Sequence, residues 1–326
     1  MPDNFIPVIH GAALDRPDEA DTLAAAGQVA ESLGRLGYGT EIVHLGLDLT
    51  RLETLAARRP CAIFNMVEAL EGDAALAHLP LAVLDHLRVP YTGASAAAWR
   101  MTLSKRLTKE LLRAHGLPTP GWWMAGENIP DGATVIVKSE WEHGSVGIDA
   151  DSVVPAAKAL PEIAVREQRF GGDFFAEEYI DGREFNVGLI GSASRPCVLP
   201  VPEILFEGIE PGRPRIVDYE AKWDTGSQAY HGTPRRFGLE RSEPALAGRL
   251  AGLALDCWKA FGLSGYARVD FRVSLQGEPY ILEINPNPAL AADAGFPAAA
   301  AEAGMGYDRM IARIVDAAVE RAREAA

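Results

Sequence analysis

Arg268, Asp270, Glu283 and Asn285 form a set of side chains able to do chemistry. They lie in GYARVDFRVSLQGEPYILEINPNPAL, residues 265–290. YARVDFRV and PYILEIN each alternate as strands do, with a turn at Gln276 and Gly277 between them. Alternation puts Asp270 on the face of Arg268, and Glu283 on the face of Asn285. A hairpin then gathers two carboxylates, an amide oxygen and a guanidinium. Hard oxygen donors that leave room for phosphate oxygens suit Mg²⁺. The plainer reading is a sheet with one charged, solvated face. The rigid exit through Pro286, Asn287 and Pro288 favours the metal, because a solvated face needs no such exit.

The rest of the chain must then supply a nucleotide site. With 326 residues, 48% of them hydrophobic, it is long enough for two or three domains with real cores. A net charge of −14 argues against nucleic acid or an anionic membrane as partner. Cys61, Cys197 and Cys257 are widely spaced in apolar surroundings and read as buried thiols of a reducing compartment. MPDNFIPVIHG lacks the pattern of a signal peptide, and no uninterrupted apolar run reaches about 18 residues. These features lead to the expectation of a cytoplasmic protein.

Strands over residues 5–9, 41–45 and 61–65 alternate with helices over 21–36 and 74–87, the pattern of a parallel α/β unit. Loops at the carboxyl ends of such strands bind ligands. Here they carry Asp18 and Glu19, then Asn65 and Glu68, then Thr92 and Gly93. Asp18, Glu19 and Asp21 also read as an acidic helix start favoured by the helix dipole, with one of them facing substrate. An amphipathic helix over 103–115 places Lys105 and Lys109 one turn apart, which reads as a solvated face. A break from Gly116 to Gly121 follows.

Residues 134–138 form a β-rich run ending in Lys138, just before a loop with Gly144, Ser145 and Gly147. An ammonium and backbone N–H groups converging there would hold a phosphate, although an ordinary hairpin has the same signature. It is not a P-loop, since G-x-x-x-x-G-K-[ST] does not occur. A helix is expected over 153–169, a strand over 174–180 with Glu177 and Glu178, and a turn at Asp181 and Gly182 into a strand over 183–190. Residues 204–236 look irregular, with Tyr219, Trp223 and Tyr230 suggesting a loop that orders over something. A helix over 242–261, the hairpin, and a helix from 297 onward complete the chain.

Taken together, VIVKSEWEHGSVGI, FFAEEYIDGREFNVGLIG, DYEAKW and RVD with LEIN, in that order, resemble the ATP-grasp superfamily. Within it they resemble the D-alanine–D-alanine ligases, from about residue 5 to residue 315, and PYTGAS with LSKRLTKELL matches in spacing. The resemblance implies a mixed α/β and α+β architecture, an ATP-grasp fold behind an N-terminal parallel α/β domain. Its parts would be a substrate domain at 1–100, a central lid at 101–185, and a C-terminal domain at 186–326 with ω-loop and metal site. It also implies roles. Lys105 and Lys138 would bind the phosphates of ATP, under a lid carrying Ser145. Glu177, Glu178, Tyr179 and Ile180 would form the adenine edge, largely through backbone groups, and Glu184 would take the ribose. Lys222 would reach the γ-phosphate, and Asp270, Glu283 and Asn285 would hold two Mg²⁺ ions, with Mn²⁺ as the alternative. Arg268 would face the reacting carboxyl carbon, and Asp18 or Glu19 the first substrate's ammonium. Small amino acids or peptides would be the substrates, and a homodimer the assembly.

Departures from that pattern fall at the substrate end. NMVEALEGDAAL keeps neither the His-Gly nor the Gly-Glu-Asp-Gly element of the D-alanine ligases. PNPALAADAGFP puts Ala294 where a serine helps hold the second substrate's carboxylate, and Ala289 where a glycine supplies an oxyanion amide. Losing such a hydroxyl costs about 1–3 kcal/mol if nothing replaces it. Arg235 and Arg236 are candidate replacements, with ordinary solvated arginines as the plainer explanation. The reading is a carboxylate–amine ligase, acting through an acyl phosphate, with an altered amino-acid pocket. A non-catalytic ATP-binding regulator is the alternative, and an ATP-grasp phosphotransferase or carboxylase a third; the retained metal set and Arg268 speak against the regulator.

Overall fold

A computed structural model describes residues 4–11, 17–142, 144–209 and 212–324. The chain begins with β1 (Val8–His10), α1 (Pro17–Arg35), β2 (Ile42–His44), α2 (Thr50–Ala57), β3 (Phe64–Asn65) and α3 (Leu79–Leu87). The three strands form a parallel sheet in the order β2-β1-β3. This is the expected α/β unit with an added helix, α2. Its buried Leu52 and Leu55 are too few, in eight residues, for a helical period to be read. The helix expected over 74–87 is split, because Asp73 caps a 3₁₀ turn at Ala74–Leu76 before α3 begins.

Two helices follow, α4 (Ala96–Leu103) and α5 (Lys105–Ala114). Ser104 between them is extended, at ψ 119°, and its hydroxyl accepts from the Leu107 N–H at 3.1 Å, which fixes the start of α5. A second, antiparallel sheet contains β4 (Trp122–Trp123), β5 (Thr134–Ser139), β6 (Val153–Pro155) and β7 (Phe174–Glu178), in the order β4-β7-β5-β6. α6 (Ala159–Phe170) covers it, with Ile163 packed in a core with Val135 and Val137. The helix expected from 153 therefore begins only at Ala159. The β-branched Val153 and Val154 pair instead with Ile136 and Val135.

The remaining elements are β8 (Gly182–Ser192), β9 (Arg195–Val198), β10 (Glu203–Ile204), α7 (Tyr219–Trp223), α8 (Gln228–His231), β11 (Arg235–Arg236), α9 (Leu239–Ser242), α10 (Pro244–Ala260), β12 (Gly265–Ser274), β13 (Pro279–Asn285), α11 (Gly295–Glu302) and α12 (Tyr307–Glu324). Residues 204–236 are thus less irregular than expected. Asp218 and Ser227 each accept from a backbone N–H, at 2.8 and 3.0 Å, and so cap α7 and α8. The helix expected from 297 is two helices, parted at Gly304 with φ +72°.

The third sheet runs β11-β10-β8-β12-β13, with β9 also on β8. β12 is paired along its length with β8, and the register opposes Arg272 to Glu184, Asp270 to Asn186 and Arg268 to Gly188. On its other side Arg268 opposes Asn285 and Asp270 opposes Glu283, as the hairpin reading requires. The alternate positions Phe185, Val187, Leu189, Val269, Phe271 and Val273 are all buried in one hydrophobic core. One face of this sheet is polar and the other apolar. The alternation is interrupted once, because Phe271 pairs with Ile281, leaving Leu282 as an extra residue. That bulge turns Ile281 into the core while Glu283 stays on the polar face with Asp270.

The N-terminal unit meets this sheet at a close backbone approach. A Cβ on Gly265, which has φ +78°, would lie 2.9 Å from both N and Cα of Gly93. Arg321 of α12 fastens the same junction, donating to the carbonyls of Tyr91, at 2.7 Å, and Gly93, and to Ser264 Oγ at 2.9 Å. Among the described residues no helix is long and apolar enough to cross a membrane. Gly262 has φ +59° but nothing near its missing Cβ. Gly265→Ala is therefore expected to destabilise the protein by about 2–4 kcal/mol, against about 1–2 for Gly262→Ala. Equal losses in melting temperature for the two variants would show that the Gly93 contact is not tight.

Candidate active site

One cleft of about 1050 Å³ brings most of the sequence-derived site residues together. Lys105, Lys138, Ser145, Glu177, Glu178, Tyr179, Ile180, Glu184, Lys222, Arg268, Asp270 and Glu283 all line it. They come from α5, the second sheet, the polar face of the third sheet, α7, the loop at Ser145 and the link between β7 and β8 at Tyr179 and Ile180. Asn285 is not among the lining residues. Its Oδ1 accepts from the Asn287 N–H at 2.9 Å, and a second lone pair is left for a metal. Glu19 is buried in the first turn of α1 and does not line the cleft, whereas Asp21 does. The side chain of Asp18 lies outside the described residues.

On β12, Arg268 donates through Nε and Nη2 to the two oxygens of Asp270, at 2.6 and 2.7 Å. Asn186 on β8 adds a bond to Asp270 Oδ1 at 2.9 Å. The buried Arg268 is lifted further above its ordinary pKa: burial opposes the charge, and the Asp270 carboxylate more than offsets it. Glu283 lies opposite Asp270 and 3.6 Å from Lys105 Nζ. Arg272 stands 3.7 Å from Glu184, whose carboxyl is raised by burial despite that guanidinium.

Lysines set the other wall. Burial lowers the pKa of Lys105, with Glu283 pulling the other way. Burial and then the Arg268 guanidinium lower that of Lys222. An ammonium held down in this way gains when an anion arrives beside it. Lys138 donates to Glu177 Oε1 at 2.7 Å, and Lys109 lies 2.5 Å from Glu177 Oε2. The Glu177 carboxyl is lowered, since the two ammonium groups outweigh its burial. Lys109 corrects the expectation of a solvated helix face. It is fully buried, brought down by burial to about 8, and also donates to Thr119 Oγ1 at 3.0 Å and to the Leu282 carbonyl at 3.4 Å. It joins α5, β7 and the bulge of β13. Nothing in the spacing of Lys105 and Lys109 signalled this, because four residues on is also where two solvated lysines would fall.

Arg272 and Asn186 were legible in principle, since each alternates in phase with a residue already singled out, Asp270 on β12 or Glu184 on β8. Tyr179 is held by its hydroxyl, which accepts from the Arg215 N–H at 3.0 Å. Ile136, Ile148, Ile180, Ile204, Ile216 and Leu282 give the cleft part of its apolar lining.

The glycine loop lies against the segment that carries Lys222. Ser145, at φ +60°, donates from Oγ to the Val217 carbonyl at 3.0 Å. Trp223 Nε1 donates to the Gly144 carbonyl at 2.8 Å, and the Tyr219 N–H to the Ile148 carbonyl at 3.1 Å. As for a metal, no group of three or more His, Cys, Asp or Glu side chains is poised to hold an ion among the described residues. Asp270 and Glu283, opposed across one strand pair, supply hard oxygens but too few to cage an ion alone. That fits Mg²⁺ completed by water and phosphate oxygens, and does not fit an all-protein cage.

Comparison with known proteins shows the family. Residues 128–316 match the family model described as the D-ala D-ala ligase C-terminus. The chain is 32% identical to the D-alanine–D-alanine ligase of Chromohalobacter salexigens over 311 residues, which is 90% of this chain and 88% of that one. The corresponding ligase of Gloeobacter violaceus is 29% identical, with 97% of this chain and 99% of that one covered. The crystal structure of the D-alanine–D-alanine ligase from Bacillus anthracis complexed with ATP superposes with a TM-score of 0.75, over 98% of this chain and 99% of that one. At 20% identity it speaks for the fold alone. The chain belongs to the D-alanine–D-alanine ligase family of ATP-grasp enzymes, ATP-dependent ligases that form carbon–nitrogen bonds.

Proposed function

We propose that this ligase joins the carboxylate of one amino acid or peptide to the amine of another through an acyl phosphate, with ATP and Mg²⁺, in a pocket altered from that of the D-alanine ligases. The observation that carries this is one cleft lined by Lys105, Lys138, Lys222 and Arg268 together with the opposed carboxylates of Asp270 and Glu283. A carboxylate approaching a triphosphate meets like charge, and a wall of cations lowers that barrier. In the proposed division of labour, residues 1–100 contribute to the substrate pocket, 101–185 cover the nucleotide, and 186–326 carry the reacting end.

Each residue then has a task that follows from its surroundings. Lys105 and Lys138 bind phosphate oxygens, and Glu177 holds Lys138 in place for this. Glu184, buried beside Arg272, accepts from ribose hydroxyls. Asp270 and Glu283, with Asn285, would hold Mg²⁺, which when bound withdraws charge from phosphate oxygens. Lys222, which lines the same cleft, neutralises the transferring phosphoryl group. The substrate carboxylate oxygen bonds to the γ-phosphorus as ADP departs. The amine then attacks the acyl carbon, its nitrogen–carbon bond forms, the carbon–oxygen bond to phosphate breaks, and the nitrogen loses a proton. Arg268, fixed by Asp270, stabilises the oxyanion on the way. Ser145 and Trp223 help to exclude water, which would hydrolyse the acyl phosphate.

The altered pocket rests on Ala289 and Ala294, both of which line the cleft and offer no hydroxyl. With ATP and Mg²⁺, phosphate release across D- and L-amino acids, singly and in pairs, is expected to reveal a productive pair whose amide product appears by mass spectrometry. Oxygen-18 placed in the donor carboxylate is expected to emerge in phosphate; phosphate free of label would remove the acyl-phosphate route. Glu283→Gln and Asp270→Asn are each expected to cut turnover by about 100-fold or more while the folded circular dichroism spectrum persists. Near-normal rates in both variants would remove the metal assignment.

A further inference from the structure

The cleft continues past the phosphate-binding lysines to an end walled by α1, β11 and the start of α11. Arg235 is the arginine that lines this end. It makes no ion pair among the described residues. Its Nη2 donates to the Asp293 carbonyl at 2.6 Å, and Nη1 lies 3.3 Å from where a Cβ on Gly295 would stand. The guanidinium is therefore laid against the backbone at the start of α11 by that hydrogen bond, and it keeps donors to spare. Arg236, the next residue, is committed elsewhere. It donates to Glu203 Oε2 at 2.6 Å, and Arg183 holds the same carboxylate at 2.7 and 3.0 Å. The strand pairing that opposes Arg236 to Glu203 and Arg235 to Ile204 sends the two arginines to opposite faces.

We propose that Arg235 holds the carboxylate of the amine substrate, so that the acceptor is an amino acid or a peptide with a free C-terminal carboxylate. This deepens the ligase reading above and rests on it. The other cations of the cleft are engaged with Asp270, Glu177, Glu283 or Glu184, or stand at the phosphate end. Ala289 and Ala294 supply no donor to a carboxylate, whereas a guanidinium fork matches one bidentately. Asp21 and Asp293 line the same end, which disfavours a polyanionic acceptor and suits a zwitterion.

The test uses the full chain with ATP and Mg²⁺, and a panel of D- and L-amino acids as donors at saturation. Each amino acid and its carboxamide serve as acceptors, and phosphate release and product mass are read. A carboxamide has no carboxylate for ATP to activate, so it reports on the acceptor position alone. In the unaltered protein, acids are expected to outperform their carboxamides. Arg235→Ala is expected to raise KM for the acid acceptor about 10- to 100-fold, while KM for ATP and for the carboxamide stays unchanged. Arg235→Lys, which keeps the charge and loses the fork, is expected to fall between; it decides the matter if the alanine variant folds poorly. Arg236→Ala should leave the acceptor KM unchanged. Equal use of acids and carboxamides by the unaltered protein, or an acid KM unmoved in both Arg235 variants, would overturn this inference alone. Absence of any amide product across the whole panel would instead overturn the ligase reading, and this inference with it.

Discussion

Two carboxylates facing each other across a strand pair set the terms for the rest of the site. Asp270 and Glu283 are directly opposed. Unit charges at a cross-strand spacing near 5 Å repel by about 3 kcal/mol at the effective dielectric of a protein. The fold meets that cost with positive charge from three directions. Arg268 clasps Asp270 from the same strand, Lys105 approaches Glu283 from α5, and Lys222 lies near both from α7. The arrangement sets two carboxylates and three cationic side chains in one cleft. It is this charge pattern on which the proposed binding of a divalent cation and phosphate oxygens rests.

Much of this was legible because chemistry and strand period coincide. Arg268 and Asp270 alternate in β12, and Glu283 with Asn285 in β13, so composition and period gave the same faces. The bulge at Leu282 could not be read. Strict alternation puts Ile281 and Glu283 on one face, and only pairing with β12 shows that the extra residue separates them. Short elements also escaped notice, for a related reason. α2, α7 and α8 span eight, five and four residues, too few for a helical period, and their caps rather than their apolar faces define the shorter two. β6 went the other way, since Val153 and Val154 were absorbed into a helix whose period really begins at Ala159.

Lys109 shows a different limit. In sequence it is a polar residue on an amphipathic helix, and in the structure it is fully buried. A buried ammonium is tolerated only when its partners come with it. Those partners are Glu177, Thr119 and the Leu282 carbonyl, supplied from three separate parts of the chain. No local pattern can announce a residue whose environment is assembled entirely by tertiary structure. The same pair gives Lys138 its place, because Glu177 holds both lysines at once.

The three hydrogen bonds between the glycine loop and the Lys222 segment carry a mechanical consequence. Each contributes about 0.5–1.5 kcal/mol, and all three span two segments some seventy residues apart, as Ser145 and Val217 show. Neither covering can swing away while they hold. The two coverings are thus one mechanical unit, and Ser145 and Trp223 supply two of the three ties that make them so.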